Sequence, residues 1–220
     1  MSPVRTALFL TLALSVGSVF AAEDISKVNG SINADSGQTY GDLETVNGSI
    51  NISGGATTED ASTVNGSINV GDKAVTGGLE TVNGGIKLAR EVTVNGGVET
   101  VNGSIFVDHG GKVKEGVETV NGAIGLVATQ LGGGIETVRG DVTVGVDSHV
   151  RGGVRVQKSQ GMFNIEPKRD PRIIIGPNAV VEGALVFERP VKLYVHKTAK
   201  IGPVTGATAQ SFDGPTAPKD

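Results

Sequence analysis

Three residue types recur at fixed places in an 18-residue period and are the first candidates for chemistry. Asn29, Asn47, Asn65, Asn83, Asn102 and Asn121 form an amide series, and Thr45, Thr63, Thr81, Thr100, Thr119 and Thr137 form a hydroxyl series two residues ahead of it. Glu44, Glu80, Glu99, Glu118 and Glu136 form a carboxylate series, with Ser26 and Ser62 in the remaining places. Each stacked amide carries a donor and an acceptor, so the Asn series can satisfy itself as a structural ladder. Thr and Asn together on one face would make a lattice of hydroxyls and amides suited to a sugar or to ice, although Thr is also simply a good strand former. Carboxylates ~5 Å apart repel by roughly 1 kcal/mol per neighbour in water. Calcium bridging them is one outcome, and splaying into solvent is the other.

A second group is basic. Arg151, Arg155, Lys158, Lys168, Arg169 and Arg172 surround a polar stretch near 157–172 that contains Pro167 and Pro171. They read either as an anion contact or as solvated loop charges. Catalysis has little to build on: His109, His149 and His196 are scattered without metal-ligand spacing, Cys is absent, and no Ser sits in a nucleophile elbow. The expectation is a chain that is not an enzyme and uses no cofactor and no metal. The catalytic alternative, a small glycan-active enzyme, needs a carboxylate-lined groove that the sequence does not point to.

The elements that must position these residues follow from the repeat. V-N-G-[SGA] recurs with its Val at 28, 46, 64, 82, 101 and 120, and a V-R-G-D variant follows at 138. A fixed period of this length is the mark of a solenoid whose coils each add a layer to one core. Alternation along residues 45–52 predicts Val46, Gly48, Ile50 and Ile52 facing inward and Thr45, Asn47, Ser49 and Asn51 facing outward. Leu43 breaks that phase, which predicts a bend at Glu-Thr. A second corner is expected at Asn-Gly, where both residues tolerate the left-handed conformation.

An extra copy, Val94-Asn95-Gly96-Gly97, lies 12 residues after Val82, which places the same motif on another side of a three-sided coil. The predicted fold is all-β: a single-stranded parallel β-helix, a three-sided β-solenoid of about nine coils with about 18 residues per coil. The crossover rule favours the right hand, while hexapeptide solenoids of this coil length also occur left-handed. The competing architecture is a hairpin array with Asn-Gly as a type I′ turn. The predicted organisation is an export signal over 1–21, a solenoid over 22–204 carrying the polar loop near 157–172, and a disordered tail over 205–220.

Composition bounds the class. With 34 Gly, 4% aromatics and no Cys, the chain suits tight bends and thin stacked strands without disulfides. Arg5, the apolar run Ala7–Val16 and Val19-Phe20-Ala21 give the signal pattern, with cleavage after Ala21 and no transmembrane segment thereafter. The expected address is periplasmic, extracellular or at the cell surface. From Ala22 to Val138 there are 6 Lys/Arg against 15 Asp/Glu, whereas Arg139 to Asp220 holds 12 against 8. Such a dipolar rod favours end-to-end homo-oligomers or docking of an anion on the basic half. Nucleic acid is excluded by the acidic balance and the scarcity of aromatics.

The V-N-G-[SG]-I coils behind an export signal resemble the bacterial putative-adhesin β-solenoid family over about residues 25–145. Ile175-Gly-Pro-Asn-Ala-Val-Val-Glu-Gly and Val195-His-Lys-Thr-Ala-Lys-Ile-Gly are similar to the coils of bactofilins, polymer-forming three-sided right-handed β-helices. Bactofilins lack a cleaved signal, so this chain departs from them in address. The resemblances imply a non-catalytic, adhesin-like or envelope-associated role with a glycan or envelope component as partner, or alternatively a self-assembling scaffold.

Overall fold

The structure is a computed structural model that describes residues 22–158 and 169–218. The signal pattern of 1–21 and most of the polar loop, Lys168 included, lie outside the described residues. Every named strand pair is parallel, and the strands fall into three sheets of 10, 7 and 10 that wrap one core. The first sheet runs from Glu23–Asn29 through Tyr40–Asn47, Ala61–Asn65 and Leu79–Asn83 to Val204–Thr205. The second runs from Ile32–Ala34 through Ile50–Ile52 and Ile68–Val70 to Ala209–Phe212. The third runs from Val75–Thr76 to Lys200–Ile201. The molecule is therefore a three-sided parallel β-solenoid of about nine turns, and the parallel pairing excludes the hairpin array.

Like stacks on like. Leu43, Ala61, Leu79, Val98, Val117 and Ile135 share one column, and Ile32, Ile50, Ile68, Ile86, Ile105 and Ile124 another, all buried. Fully burying such a side chain contributes roughly 1.5–3 kcal/mol relative to leaving it exposed, so each added coil deepens the core by several such steps. The extra Val94 sits on the third sheet, buried beside Thr76 and Val113, as the 12-residue offset predicts.

The phase within the repeat differs from expectation. Thr45 is 4% exposed and Val46 41%, and the same inversion holds for Thr63 and Val64 and for Thr100 and Val101. Leu43 and Thr45 both point inward with ordinary period-2 spacing, so Tyr40–Asn47 runs unbroken through Glu-Thr and the corner lies at Asn-Gly. A Thr prefers the inside because one peptide per coil turns out of the ladder. In the Gly48–Ser49 peptide the carbonyl accepts from the Thr63 hydroxyl of the next coil (2.9 Å) and the N–H donates to the Ser31 hydroxyl of the preceding one (3.2 Å). Thr81 and Ser49 treat the Gly66–Ser67 peptide in the same way, and Thr100 and Ser67 the Gly84–Gly85 peptide. A buried hydroxyl that closes a backbone orphan outweighs the apolar gain of placing Val there.

Most of the corner glycines are required by closeness rather than by a left-handed conformation, although Gly30 and Gly122 of the same motif do have positive φ. Gly48, Gly66, Gly84 and Gly103 are not among the positive-φ residues, but a Cβ on any of them would overlap the carbonyl of the glycine one coil below. A continuous column of positive-φ residues occupies the corner between the second and third sheets and is made of Gly37, Gly55, Lys73, Glu91, Gly110, Ala128, Asp147 and Asn178. Paired glycines such as Gly133–Gly134 and Gly152–Gly153 turn the third corner, again under stacked backbone.

One boundary also differs from expectation. The stretch 205–220 is not a structureless tail throughout: Ala209–Phe212 is the last strand of the second sheet, paired with Lys192–His196. Buried Phe212 meets the His196 ring edge-on at 5.0 Å and, with buried Phe187, closes this end of the core with aromatics. The Thr column ends at Thr137, where the Asn-Gly corner ends. One coil on, Val154–Val156 leads into the 157–171 insertion, and Val156 and Phe187 take the inward place.

Thr81→Val keeps the shape but leaves the Gly66 carbonyl without its donor, and should cost about 1–3 kcal/mol. Gly84→Ala should cost about 3 kcal/mol or more by forcing two coils apart. Val101→Thr, on the outer face, should stay within about 0.5 kcal/mol of the parent. Urea unfolding of the three variants checks this order, and equal effects of Thr81→Val and Val101→Thr would contradict the inward Thr.

Candidate functional site

The outer face of the first sheet carries the most regular array of functional groups. At its edge, Asn47 donates its amide to Asn29 Oδ1 at 3.1 Å, and the pattern continues through Asn65, Asn83, Asn102 and Asn121 at 2.9–3.0 Å. A second ladder, not singled out in the sequence, joins Asn33, Asn51 and Asn69 on the second sheet at 2.9–3.0 Å. Every internal amide of these ladders donates one N–H along the axis and accepts one bond along it, which fixes its orientation in the stack and leaves one N–H and one lone pair. Ladders of this kind hold coils in register.

The Thr series is not on this surface. Its hydroxyls are buried against the corner carbonyls, so the lattice of exposed hydroxyls and amides expected for ice or sugar does not form. The outward places hold Glu and Val instead. Glu44, Ser62, Glu80, Glu99, Glu118 and Glu136 follow one another in register, and a row of half-exposed Val runs beside them. Together they line a shallow open groove from Glu80 to Gln157. Burial pushes the Glu118 carboxyl above its ordinary value, and the Glu136 and Glu99 charges on either side push the same way. Among the described residues no three His, Cys, Asp or Glu side chains are grouped to hold a metal ion.

Asp24, Asp42 and Asp60 make a shorter acidic column at the start of the same face, each accepting a backbone N–H from the next coil. The Asp carboxylates are thereby used as structural acceptors. The Glu series ends against a cation: Arg155 stands directly above Glu136, lies 3.7 Å from it and 3.2 Å from Glu188. Gln157 adds a 2.6 Å bond to Glu136.

The basic residues proposed as one anion contact are not brought together. Arg151 lies on the third sheet and Arg155 on the first, where it serves the Glu series. Lys158 follows Arg155 at the insertion and gives its backbone N–H to Glu188. Arg169 clasps Asp141 through both terminal nitrogens at 2.9 and 2.7 Å, and the Arg172 N–H adds a third bond to that carboxylate. Burial would raise the Asp141 carboxyl, but these bonds outweigh it and hold the group below its ordinary value. Arg172 packs over the Tyr194 ring at 5.1 Å and reaches the Pro218 carbonyl. Most of the group clamps the insertion to the stack, and three sheets separate what the linear sequence placed side by side.

Sequence reasoning missed a different cluster. Lys112, Lys114, His149 and Arg151 project from the third sheet, on strands two coils apart. The signal was present as K-x-K at 112–114 and H-x-R at 149–151, separated by 37 residues, which is two coil lengths. Comparisons with protein-family models, with curated proteins and with solved structures gave no match.

The raised Glu118 group fixes the sign of one pH effect. An acid whose folded value lies above its unfolded value contributes stability that is present below the unfolded value and lost as pH rises through the folded one. At neutral pH Glu118 is therefore a destabilising charge, and Glu118→Gln should raise the melting temperature at pH 7 and have no such effect at pH 3. Glu44→Gln, next to Ser62 rather than Glu, should shift it less. A loss of stability in Glu118→Gln at pH 7 would show that the column holds a bound cation instead.

Proposed function

We propose that the chain is an exported, non-catalytic β-solenoid that serves as a rigid structural or binding rod, adhesin-like or associated with the cell envelope. The observation that carries this reading is what the side chains are used for. The amides, hydroxyls and Asp carboxylates of the repeats are committed to holding one coil on the next, and the surface left over consists of flat strand faces with shallow grooves. The Glu groove lines up like charges along a shallow open strand face, which supports its reading as a surface. The Arg5 to Ala21 pattern supports export.

End-to-end assembly is the second reading, favoured by a specific feature. Among the described residues the strands Glu23–Asn29 and Ile32–Ala34 at one end, and Lys200–Ile201 and Ala209–Phe212 at the other, pair on one side only. Such edges accept further strands. Glu23 and Asp24 at the first end complement Lys200 at the last.

Expression of the full chain with a C-terminal tag, followed by fractionation, tests the proposal. The expected product begins at Ala22 and is found outside the cytoplasm with the envelope or the medium. An uncleaved cytoplasmic product would contradict it. Sedimentation of the same product separates the two readings: a monomer at every concentration and ionic strength leaves the binding rod, and salt-sensitive polymers leave the scaffold.

A further inference from the structure

We infer that the outer face of the third sheet is a binding site for a carboxylated glycan chain, centred on a notch at Gly132. The inference rests on the reading of the chain as an exported binding rod and names what that rod would hold. Register places Lys112, Gln130 and His149 in one outward column. The backbone bonds Lys114 N to Val94 O, Gly132 N to Val113 O and Arg151 N to Leu131 O place Lys114, Gly132 and Arg151 in the column beside it. Cations thus stand on the first and third of three successive coils, about 10 Å apart at a rung of ~4.8 Å. The coil between them contributes an amide and a glycine. Gly132 cannot be otherwise, since a Cβ would overlap the Lys114 carbonyl, so the gap between Lys114 and Arg151 is fixed by backbone stacking.

The charges are available. Among the described residues Lys112, Lys114 and Arg151 take part in no ion pair, in contrast to Arg155 and Arg169. Two carboxylates lie at the rim: Glu182 is engaged by His149 Nε2 at 2.7 Å, and exposed Glu115 follows Lys114. Three cations within about a Debye length act on an anion together. The acidic first sheet repels the same anion and leaves the third sheet as its landing face.

The polar lining decides the ligand class. Gln130, with Thr93 and Asn95 one coil before Lys112 and Lys114, offers amides and a hydroxyl that match sugar hydroxyls. No Phe, Tyr or Trp lines the recess, whereas a single-stranded nucleic acid would use such rings to stack its bases. A chain of uronic acid units lying along the solenoid axis, with a unit length of about one rung, brings every second unit to a cation, so alternate carboxylates meet Lys112 or Lys114 and then Arg151.

Affinity electrophoresis of the purified protein through gels containing polygalacturonate tests this. The expected result is retardation by polygalacturonate, none by neutral dextran, and weaker retardation by polyglutamate of equal charge. Lys114→Gln combined with Arg151→Gln should weaken polygalacturonate binding at least tenfold. Lys27→Gln combined with Lys87→Gln, an equal loss of charge on the other two sheets, should leave it within twofold. Equal weakening by both pairs, equal retardation by polyglutamate, or no retardation of the parent protein would overturn the site. Envelope fractionation decides the broader reading separately, so an exported, envelope-bound protein that ignores polygalacturonate would refute the glycan site alone.

Discussion

The peptide that turns out of the ladder at each Asn-Gly corner is the constraint on which the rest of the molecule depends. A parallel ladder satisfies backbone groups along straight strands, but a corner has to leave some unpaired. At the Gly48–Ser49, Gly66–Ser67 and Gly84–Gly85 corners the orphan carbonyl is closed by a Thr from the coil above and the orphan N–H by a Ser from the coil below. Both hydroxyls reach only if neighbouring coils stack without offset, and that stacking in turn excludes any Cβ at the corner. The Thr, Asn, Gly and Ser around the corner are therefore one device. The Gly allows contact, the Ser and the preceding Thr replace the lost backbone bonds, and the Asn locks the outside of the corner to its neighbours.

The architecture was legible because period and identity carry it directly. An 18-residue recurrence, a 12-residue displaced copy and inward Ile at 50, 68 and 86 lead to three parallel sheets without any knowledge of side-chain contacts. Facing was less legible. Hydrophobicity alone assigns Val46 to the inside and Thr45 to the outside, and the opposite holds because a corner carbonyl competes for the inward place. The left-handed corner was invisible for another reason. Gly, Lys, Glu, Ala, Asp and Asn all occupy it, since the stack holds the conformation cooperatively and the residue type need only tolerate it.

Surface chemistry was the hardest to read, because sequence neighbours part company within six residues of each other in a three-sided coil. Arg151 and Arg155 lie four residues apart and on different sheets, whereas Lys114 and Arg151 lie 37 apart on one face. Functional clusters in such a fold must be sought at multiples of the coil length. Charge follows the same logic: burial first, and the Glu136 and Glu99 charges one coil to either side second, raise the Glu118 carboxyl, and Arg155 ends the series.

The central claim is that identical motif residues from successive coils stand in single file. Nitroxide labels placed at Val46 and, in turn, at Val101, Val120 and Val138 sit on one outward column, so electron–electron distances measure the file directly. The account predicts distances that lengthen by about 4.8 Å for each coil added, along a straight line through the three pairs. Distances that alternate, or that fail to grow from Val101 to Val138, would contradict it.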